Sequence, residues 1–424
     1  MTFKIYTLGC KVNTYESSVM QDKLVNAGFT LNEDKPDITI INTCTVTNTA
    51  DSKSRKMIHR ARKENPNTIL VVAGCMSQKA EEIDDVDIVL GNIGKSKIVE
   101  YIQEYIKNNN PINDIKDIMH TNFEPMILNN FNRTRAFVKI QDGCNNFCSY
   151  CIIPYVRGNV RSKNKDDVLA EINNLVNAGH KEIVLTGIHT GHYGEDNETY
   201  KFPDLLKDIV KIKGLERLRI SSIEITELNQ EFLNVLKENK ILVDHMHIPL
   251  QSGSDTVLKR MNRKYDKKYF IDKIKEIRSI RPDISITTDV ITGFPGETLE
   301  EAKETIETIS KIRFSKIHVF PYSRRKGTEA DLMENQISEE VKKKRVKELI
   351  ELSKELESEY AKKFIGKKVI FIPEVYKDGY LIGHTGNYLS VKMKGSESLL
   401  HQDIETILIG ENYPYVIGGE QWKN

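Results

Sequence analysis

The chain has 424 residues, with 62 Lys and Arg against 61 Asp and Glu, and a formal net charge of +1. That length exceeds one ordinary core and implies two or three domains. No apolar run reaches the roughly 18–20 residues that span a bilayer, and MTFKIYTLGCKVN lacks the basic and apolar regions of a secretory signal. A soluble cytoplasmic protein with no membrane partner is therefore expected.

Over the first 100 residues, apolar runs alternate with helical patterns. TFKIYTLGC, DITIINTC and TILVVAGC read as strands that end at Cys10, Cys44 and Cys75, and VDIVLGN reads as a fourth. Short apolar runs separated by helices predict a parallel sheet, whose ligands bind beyond the carboxyl ends of the strands. Three cysteines at three such ends point to one shared site. Residues 104–130 are rich in Asn, Asp and Pro and read as an irregular connection. Alternation resumes near residue 135 through AFVKIQDGC, EIVLTGIH, RLRISSIEI, DHMHIPLQ, SITTDVITGF and KIHVFPYS. Six β/α units predict a barrel or partial barrel with its chemistry at the carboxyl strand ends. Residues 337–361 read as a long charged helix, and the tail from about 363 reads as a small β-barrel. The single tryptophan, Trp422, carries no functional signal.

Charge is local rather than global. Residues 53–63, KSRKMIHRARK, and 259–268, KRMNRKYDKK, are strongly basic, and 131–163 holds Arg133, Arg135, Lys139, Arg157, Arg161 and Lys163 against Asp142. Such runs are commonly solvated faces, but three of them near candidate sites point to a polyanionic partner.

Of the six cysteines, Cys144, Cys148 and Cys151 fall within the stretch DGCNNFCSYC. A disulfide set is disfavoured in a large chain without a secretory signal. Three thiolates spaced C-x3-C-x2-C can hold three irons of a cubane cluster and leave the fourth open to another ligand. A zinc completed by a distant histidine is the rival reading.

This C-x3-C-x-aromatic-C stretch, with Tyr150 as the aromatic, resembles the signature of the radical S-adenosylmethionine enzymes. The whole chain resembles the methylthiotransferase family, on YTLGCKVNTYES, INTCTVT, DGCNNFCSYCIIPYVRG, TGFPGET and HVFPYSRRKGTEA. The resemblance implies an N-terminal α/β domain over 1–125, a radical S-adenosylmethionine core with a partial (β/α)6 barrel over 130–362, and a TRAM β-barrel that contacts RNA over 363–424. It implies two [4Fe–4S] clusters. Cys144, Cys148 and Cys151 would hold the catalytic one, and Cys10, Cys44 and Cys75 an auxiliary one. S-adenosylmethionine is the implied cofactor, cleaved to a 5′-deoxyadenosyl radical that takes hydrogen from C2 of adenine before sulfur and methyl are added.

The stretches are most similar to the branch acting on N6-threonylcarbamoyladenosine beside the tRNA anticodon. The partners implied are the anticodon stem-loop, an electron-donor protein and a sulfur source. The branches acting on isopentenyladenosine or on a ribosomal-protein aspartate, and a non-catalytic metal-containing RNA-binding protein, are the alternatives. Tyr150, Gly187, Ser222, Glu224 and Gly293 are the expected cofactor-binding residues, and Arg157 and Arg161 the expected contacts to tRNA or S-adenosylmethionine. Gln251 and Ser252 are weaker candidates. Asn13 and Asn42 flank auxiliary cysteines, while His189 and His192 read as ordinary loop histidines. The two cysteine triplets are expected to face each other across a domain interface.

Overall fold

The computed structural model describes residues 1–80, 82–129, 131 and 133–419, so Trp422 lies outside the described residues. The first 114 residues build a parallel sheet of six strands, in the spatial order Thr30–Leu31, Thr2–Thr7, Ile38–Thr43, Ile69–Gly74, Ile88–Leu90 and Ile112–Asp114. Ile38–Thr43 is buried along its whole length, as a central strand covered on both faces must be. Helices Lys11–Asn26, Asn48–Glu64 and Ile98–Asn108 make crossovers. Thr47 starts the second of these by accepting a hydrogen bond from the Ala50 amide at 3.1 Å.

The expectation of an irregular connection over 104–130 needs correction at its start. Residues 104–108 complete a helix, and Ile112–Asp114 pairs with Ile88–Leu90 as an edge strand. A three-residue strand is too short to announce itself by alternation.

The central region carries two three-stranded parallel sheets. One is ordered Arg217–Ile220, Glu182–Thr186, Arg135–Lys139, and the other His245–His247, Ser285–Thr292, Lys316–Pro321. A parallel bridge between Leu218 and Leu242 joins the halves. Among the described residues no pairing links Arg135–Lys139 to Lys316–Pro321, so the six strands form a partial barrel with an open side. Helix Glu339–Lys362 packs along the last strand, and Ser353 Oγ accepts from the Ile317 amide at 3.0 Å.

The tail forms a closed barrel from Lys368–Lys377, Tyr380–Thr385, Ser390–Lys394, Ile404–Asn412 and Tyr415–Gly418. It docks at the amino ends of the core strands. Glu374 pairs with Arg135 at 2.9 Å, while Asp403 pairs with Lys181 at 2.7 Å and Arg217 at 2.9 Å.

Candidate active site

Cys10, Cys44 and Cys75 each follow one of three neighbouring strands, Thr2–Thr7, Ile38–Thr43 and Ile69–Gly74. Parallel strands in register put these three positions at one sheet end. Gly9 makes the approach possible. Its φ is +97°, and a Cβ there would lie 2.7 Å from Cys44 Cβ and 2.8 Å from its Sγ. Asn13, at the start of the first helix, ties the loops together by donating to the carbonyls of Leu8 at 2.7 Å and Thr43 at 2.8 Å. Asn42 anchors the same helix through the Asn13 carbonyl at 3.0 Å and Ser17 Oγ at 3.1 Å.

Cys144, Cys148 and Cys151 lie on the loop after the first core strand. Gly143 shapes its entry. Its φ is +74°, and a Cβ would fall 1.9 Å from the Asn159 carbonyl oxygen. The Cys151 amide donates to the Cys148 carbonyl at 2.9 Å, and the Cys144 amide to Gly158 at 3.0 Å. Ser149 pins the loop centre by donating from Oγ to the Arg260 carbonyl at 2.8 Å.

The two triplets are drawn to one interface. Helix Ile153–Arg157, directly after Cys151, packs against helix Cys75–Lys79, and Cys75 shares an apolar cluster with Ile152 and Val156. Each triplet also receives a guanidinium. Arg157 Nε donates to Cys75 Sγ, and Arg263 Nη1 to Cys148 Sγ, both at 3.3 Å.

The surroundings of both sets suit an anionic, thiolate-bound group. Burial pushes the Cys144 and Cys151 thiols up to about 12 and the Cys44 thiol up to about 11. Bare thiolates are disfavoured there, and a bound cationic centre is what would hold them deprotonated. Next to Cys75, four cations, Lys95, Lys139, Arg157 and Arg161, surround two carboxylates, Glu16 and Asp142. That excess of positive charge matches a negatively charged ligand set. Three sulfurs per set fit an iron–sulfur cluster with one iron left for a further ligand.

Arg157 and Arg161 do not reach solvent as expected. Arg157 is wholly buried and gives its donors to Glu16, Asp142, Asn13 and Cys75. Arg161 donates to the Ile118 and Arg157 carbonyls and to Thr121 Oγ1. Protein groups take these donors, so both side chains brace the interface in this structure. The basic stretch 131–163 is corrected with them, because Lys139 and Lys163 are also buried, paired with Glu16 and Glu171.

Among the expected cofactor residues, Glu224 lies beside the Cys148 loop. It accepts from Asn146 at 2.9 Å and pairs with Arg263 at 3.1 Å. Gly187 is packed so that a Cβ would meet Gln141 Oε1 at 2.9 Å. Ser222 is half-buried two residues past strand Arg217–Ile220. Tyr150 packs into an apolar cluster with Phe294, which brings the cysteine loop and TGFPGE together. Gly293 gives its amide to Glu297 and lies under the Lys342 side chain, so the turn itself accounts for this glycine. The weaker candidate Ser252 is fully buried, with Thr305 and Ser254 as its hydrogen-bond neighbours.

His189 and His192 are more than loop histidines. With the half-buried Glu227, these two buried histidines form a group whose ligand atoms lie within 4.8 Å of one another. Burial alone would raise the Glu227 carboxyl, but hydrogen bonds from His189 and His192 hold it at about 2. His189 Nδ1 also lies 3.8 Å from Cys144 Sγ, where the zinc reading would draw its distant ligand.

The comparisons decide between these readings. Residues 138–309 match the family model described as the radical SAM superfamily, and residues 2–91 match uncharacterized protein family UPF0004. The chain is 44% identical over 428 residues to threonylcarbamoyladenosine tRNA methylthiotransferase MtaB of Bacillus subtilis (strain 168), covering 98% of this chain and 95% of the relative. This chain belongs to the radical S-adenosylmethionine methylthiotransferase family. Family membership makes [4Fe–4S] clusters and S-adenosylmethionine its cofactors and sets the zinc reading aside.

Other methylthiotransferases extend the match. The MtaB of Thermotoga maritima is 38% identical, over 93% of this chain and 92% of its own. The tRNA-2-methylthio-N(6)-dimethylallyladenosine synthase of Clostridium perfringens (strain SM101 / Type A) is 35% identical, over 99% and 97%. In fold, the chain resembles the radical S-adenosylmethionine methyltransferase TsrM from Kitasatospora setae. The TM-score is 0.56 at 14% identity, over 75% of this chain and 72% of that one.

Sequence reasoning missed Glu16, Lys95, Asn92 and Arg263. Asn92 donates to Cys75 Sγ at 3.6 Å and to the Val156 carbonyl at 2.7 Å. Glu16 sits six residues after Cys10 inside YTLGCKVNTYES, and Arg263 sits inside the basic run 259–268. Closeness to Cys10 for Glu16 and membership of that run for Arg263 were the available signals.

Proposed function

We propose that this protein adds a methylthio group to C2 of N6-threonylcarbamoyladenosine, next to the anticodon of tRNA. The observation that carries the reading is the convergence of two cysteine triplets on one interface, within a chain related over nearly its full length to the MtaB enzymes. A ring C–H is not acidic enough for an ordinary general base, and the clusters with S-adenosylmethionine supply the one-electron chemistry and the sulfur that such a position needs.

Cys144, Cys148 and Cys151 hold the catalytic cluster in this proposal, and Cys10, Cys44 and Cys75 the auxiliary one. Glu224, Gly187, Ser222 and Tyr150 border the S-adenosylmethionine site. Arg263 orients Glu224 and Cys148 together, and Arg157 holds the auxiliary side against the core.

The remaining parts serve the RNA. Residues 1–125 and 130–362 carry the two clusters, and 363–424 add an RNA-contacting module. Helix Asn48–Glu64 buries Ser54, Ile58 and Ala61 and exposes Lys53, Arg55, Lys56, Arg60 and Lys63, a basic face suited to phosphates. No helix of the described residues is long and apolar enough to cross a membrane. Work in the cytoplasm with an electron-donor protein and a sulfur source completes the proposal.

Nucleoside mass spectrometry of tRNA from a strain lacking the gene, with and without complementation, tests it. The expected result is loss of the methylthio group from threonylcarbamoyladenosine alone. Loss from isopentenyladenosine instead would move the protein to the other tRNA branch.

A further inference from the structure

A cavity of about 470 Å³ opens between the inner face of the partial barrel and the C-terminal β-barrel, lined in part by Lys11, Arg135, Arg219, His245 and Tyr388. Tyr388 stacks on His245 with ring centroids 4.8 Å apart. The guanidiniums of Arg135 and Arg219 lie 5.2 and 4.8 Å from the centre of its ring. Its volume is in the range of small-molecule sites, of order 300–1,000 Å³.

The charges around this cavity do not close on themselves. Glu374 is shared by Arg135 at 2.9 Å and His384 at 2.7 Å. Glu182 is shared by Arg219 at 2.7 Å and Arg217 at 3.7 Å. Lys316 pairs with Glu357 at 2.9 Å, and His247 with Asp289 at 3.3 Å. Unpartnered nitrogens remain. Among the described residues Lys11, an exposed lysine of the cavity wall, is in no ion pair, and the buried Nη1 of Arg219 and Nδ1 of His245 have no hydrogen-bond partner. A buried donor without a partner is costly, and a site built around one is built for an acceptor. One ammonium and one free guanidinium nitrogen suit a single carboxylate.

The position of Lys11 gives this pairing its meaning. Lys11 directly follows Cys10 of the auxiliary triplet, so the cavity wall begins where that set ends. On adenine, C2 and C6 both flank N1, so a substituent on N6 and a group arriving at C2 share one edge of the ring. A residue beside the sulfur-delivering side is therefore placed to read the N6 substituent. The threonylcarbamoyl group ends in a carboxylate, whereas an isopentenyl group is a hydrocarbon with nothing to accept a hydrogen bond.

We infer that Lys11, with the free donor of Arg219, binds the threonine carboxylate of the modified adenosine and so selects this substrate over apolar N6 substituents. The inference rests on the proposed function and names the residues that read its substrate.

The test is a double comparison on the reconstituted full chain. Fluorescent anticodon stem-loops carry threonylcarbamoyladenosine either as the free acid or as its carboxamide. Binding is measured by anisotropy, alongside methylthiolation of each RNA. The wild type should bind the acid about 10- to 100-fold more tightly than the amide. Lys11→Met should bring the two within about threefold, and Lys11→Arg should keep most of the preference. Methylthiolation of the acid RNA by a wild type with no preference for acid over amide overturns the inference and leaves the proposed function standing. A full preference retained in Lys11→Met overturns it as well. No methylthiolation of threonylcarbamoyladenosine RNA by the wild type overturns both readings together.

Discussion

Replacing Glu16 with Gln removes one negative charge from the centre of the interface between the two cysteine triplets. Glu16 is wholly buried. Its Oε1 accepts from Arg157 and Lys139, both at 2.7 Å, and its Oε2 accepts from Lys95. A glutamine keeps the shape but puts an N–H₂ where one oxygen accepted, and it leaves Lys139 and Arg157 with Asp142 as their one carboxylate and Lys95 with none. Breaking a buried pair by removing one partner costs about 3–5 kcal/mol. At roughly 2–4 °C per kcal/mol, that lowers the midpoint of the transition that opens this interface by about 6–20 °C. The assay is thermal unfolding of the reconstituted protein by circular dichroism, with iron measured per chain. Glu64→Gln is the control, because Glu64 and its partner Arg60 are 52% and 67% exposed, and a solvent-screened surface pair contributes little to stability.

A pH series adds a signed readout. Burial alone would raise the Glu16 carboxyl, but Arg157, Lys139 and Lys95 hold it well below the ordinary carboxylate range. Asp142 is held down in the same way by Lys139 and Arg157. An acid depressed in the folded state contributes stability above its unfolded value of about 4 and loses it as pH falls toward the folded value. The gap between wild type and Glu16→Gln should therefore be full near neutrality and narrow below about pH 4. A Glu16→Gln midpoint as close to wild type as that of Glu64→Gln, at every pH, would refute the assignment of Glu16 as the keystone of the interface.

Alanine at Cys144, Cys148 and Cys151 should abolish formation of 5′-deoxyadenosine and lower iron from about eight to about four per chain; unchanged nucleoside formation would contradict the assignment. Alanine at Cys10, Cys44 and Cys75 should spare part of that cleavage while ending thiolation, as read by mass spectrometry of the RNA product. Gly143→Ala forces a Cβ onto the Asn159 carbonyl, so the loop must move, and iron at the first triplet should fall while the auxiliary set stays loaded. Arg325 donates to Thr45 Oγ1 at 2.5 Å and to Asn48 Oδ1 at 2.7 Å, so Arg325→Ala should loosen residues 44–51 by about 1–3 kcal/mol. Hydrogen exchange there would show it, and unaltered protection would count against the contact.

The parts of the fold that could be read from the sequence were those encoded locally. Cys10, Cys44 and Cys75 each closed an apolar run, and a parallel sheet brings such strand ends together without further information. Cys144, Cys148 and Cys151 carried their chemistry in their spacing. The bracing network could not be read in this way. Glu16, Lys95, Lys139 and Arg157 come from distant parts of the chain, and a buried pair is assembled only by tertiary packing. Arg157 read as a contact to tRNA or S-adenosylmethionine, and Lys163 as part of a run facing a polyanion, because a charge run has no mark that separates a buried ion pair from an exposed one. His189 and His192 misled for the same reason, since Glu227, the group that gathers them, belongs to the next β/α unit.

In the proposed reaction, C2 of N6-threonylcarbamoyladenosine loses its hydrogen to a radical and gains sulfur. The direct measurement uses an anticodon stem-loop deuterated at that carbon, incubated anaerobically with reconstituted protein and S-adenosylmethionine. Mass spectrometry should find the methylthio group at C2 and the deuterium in 5′-deoxyadenosine. A methylthiolated product that keeps its deuterium, or deuterium transfer with no sulfur added when both triplets are loaded, would contradict the account.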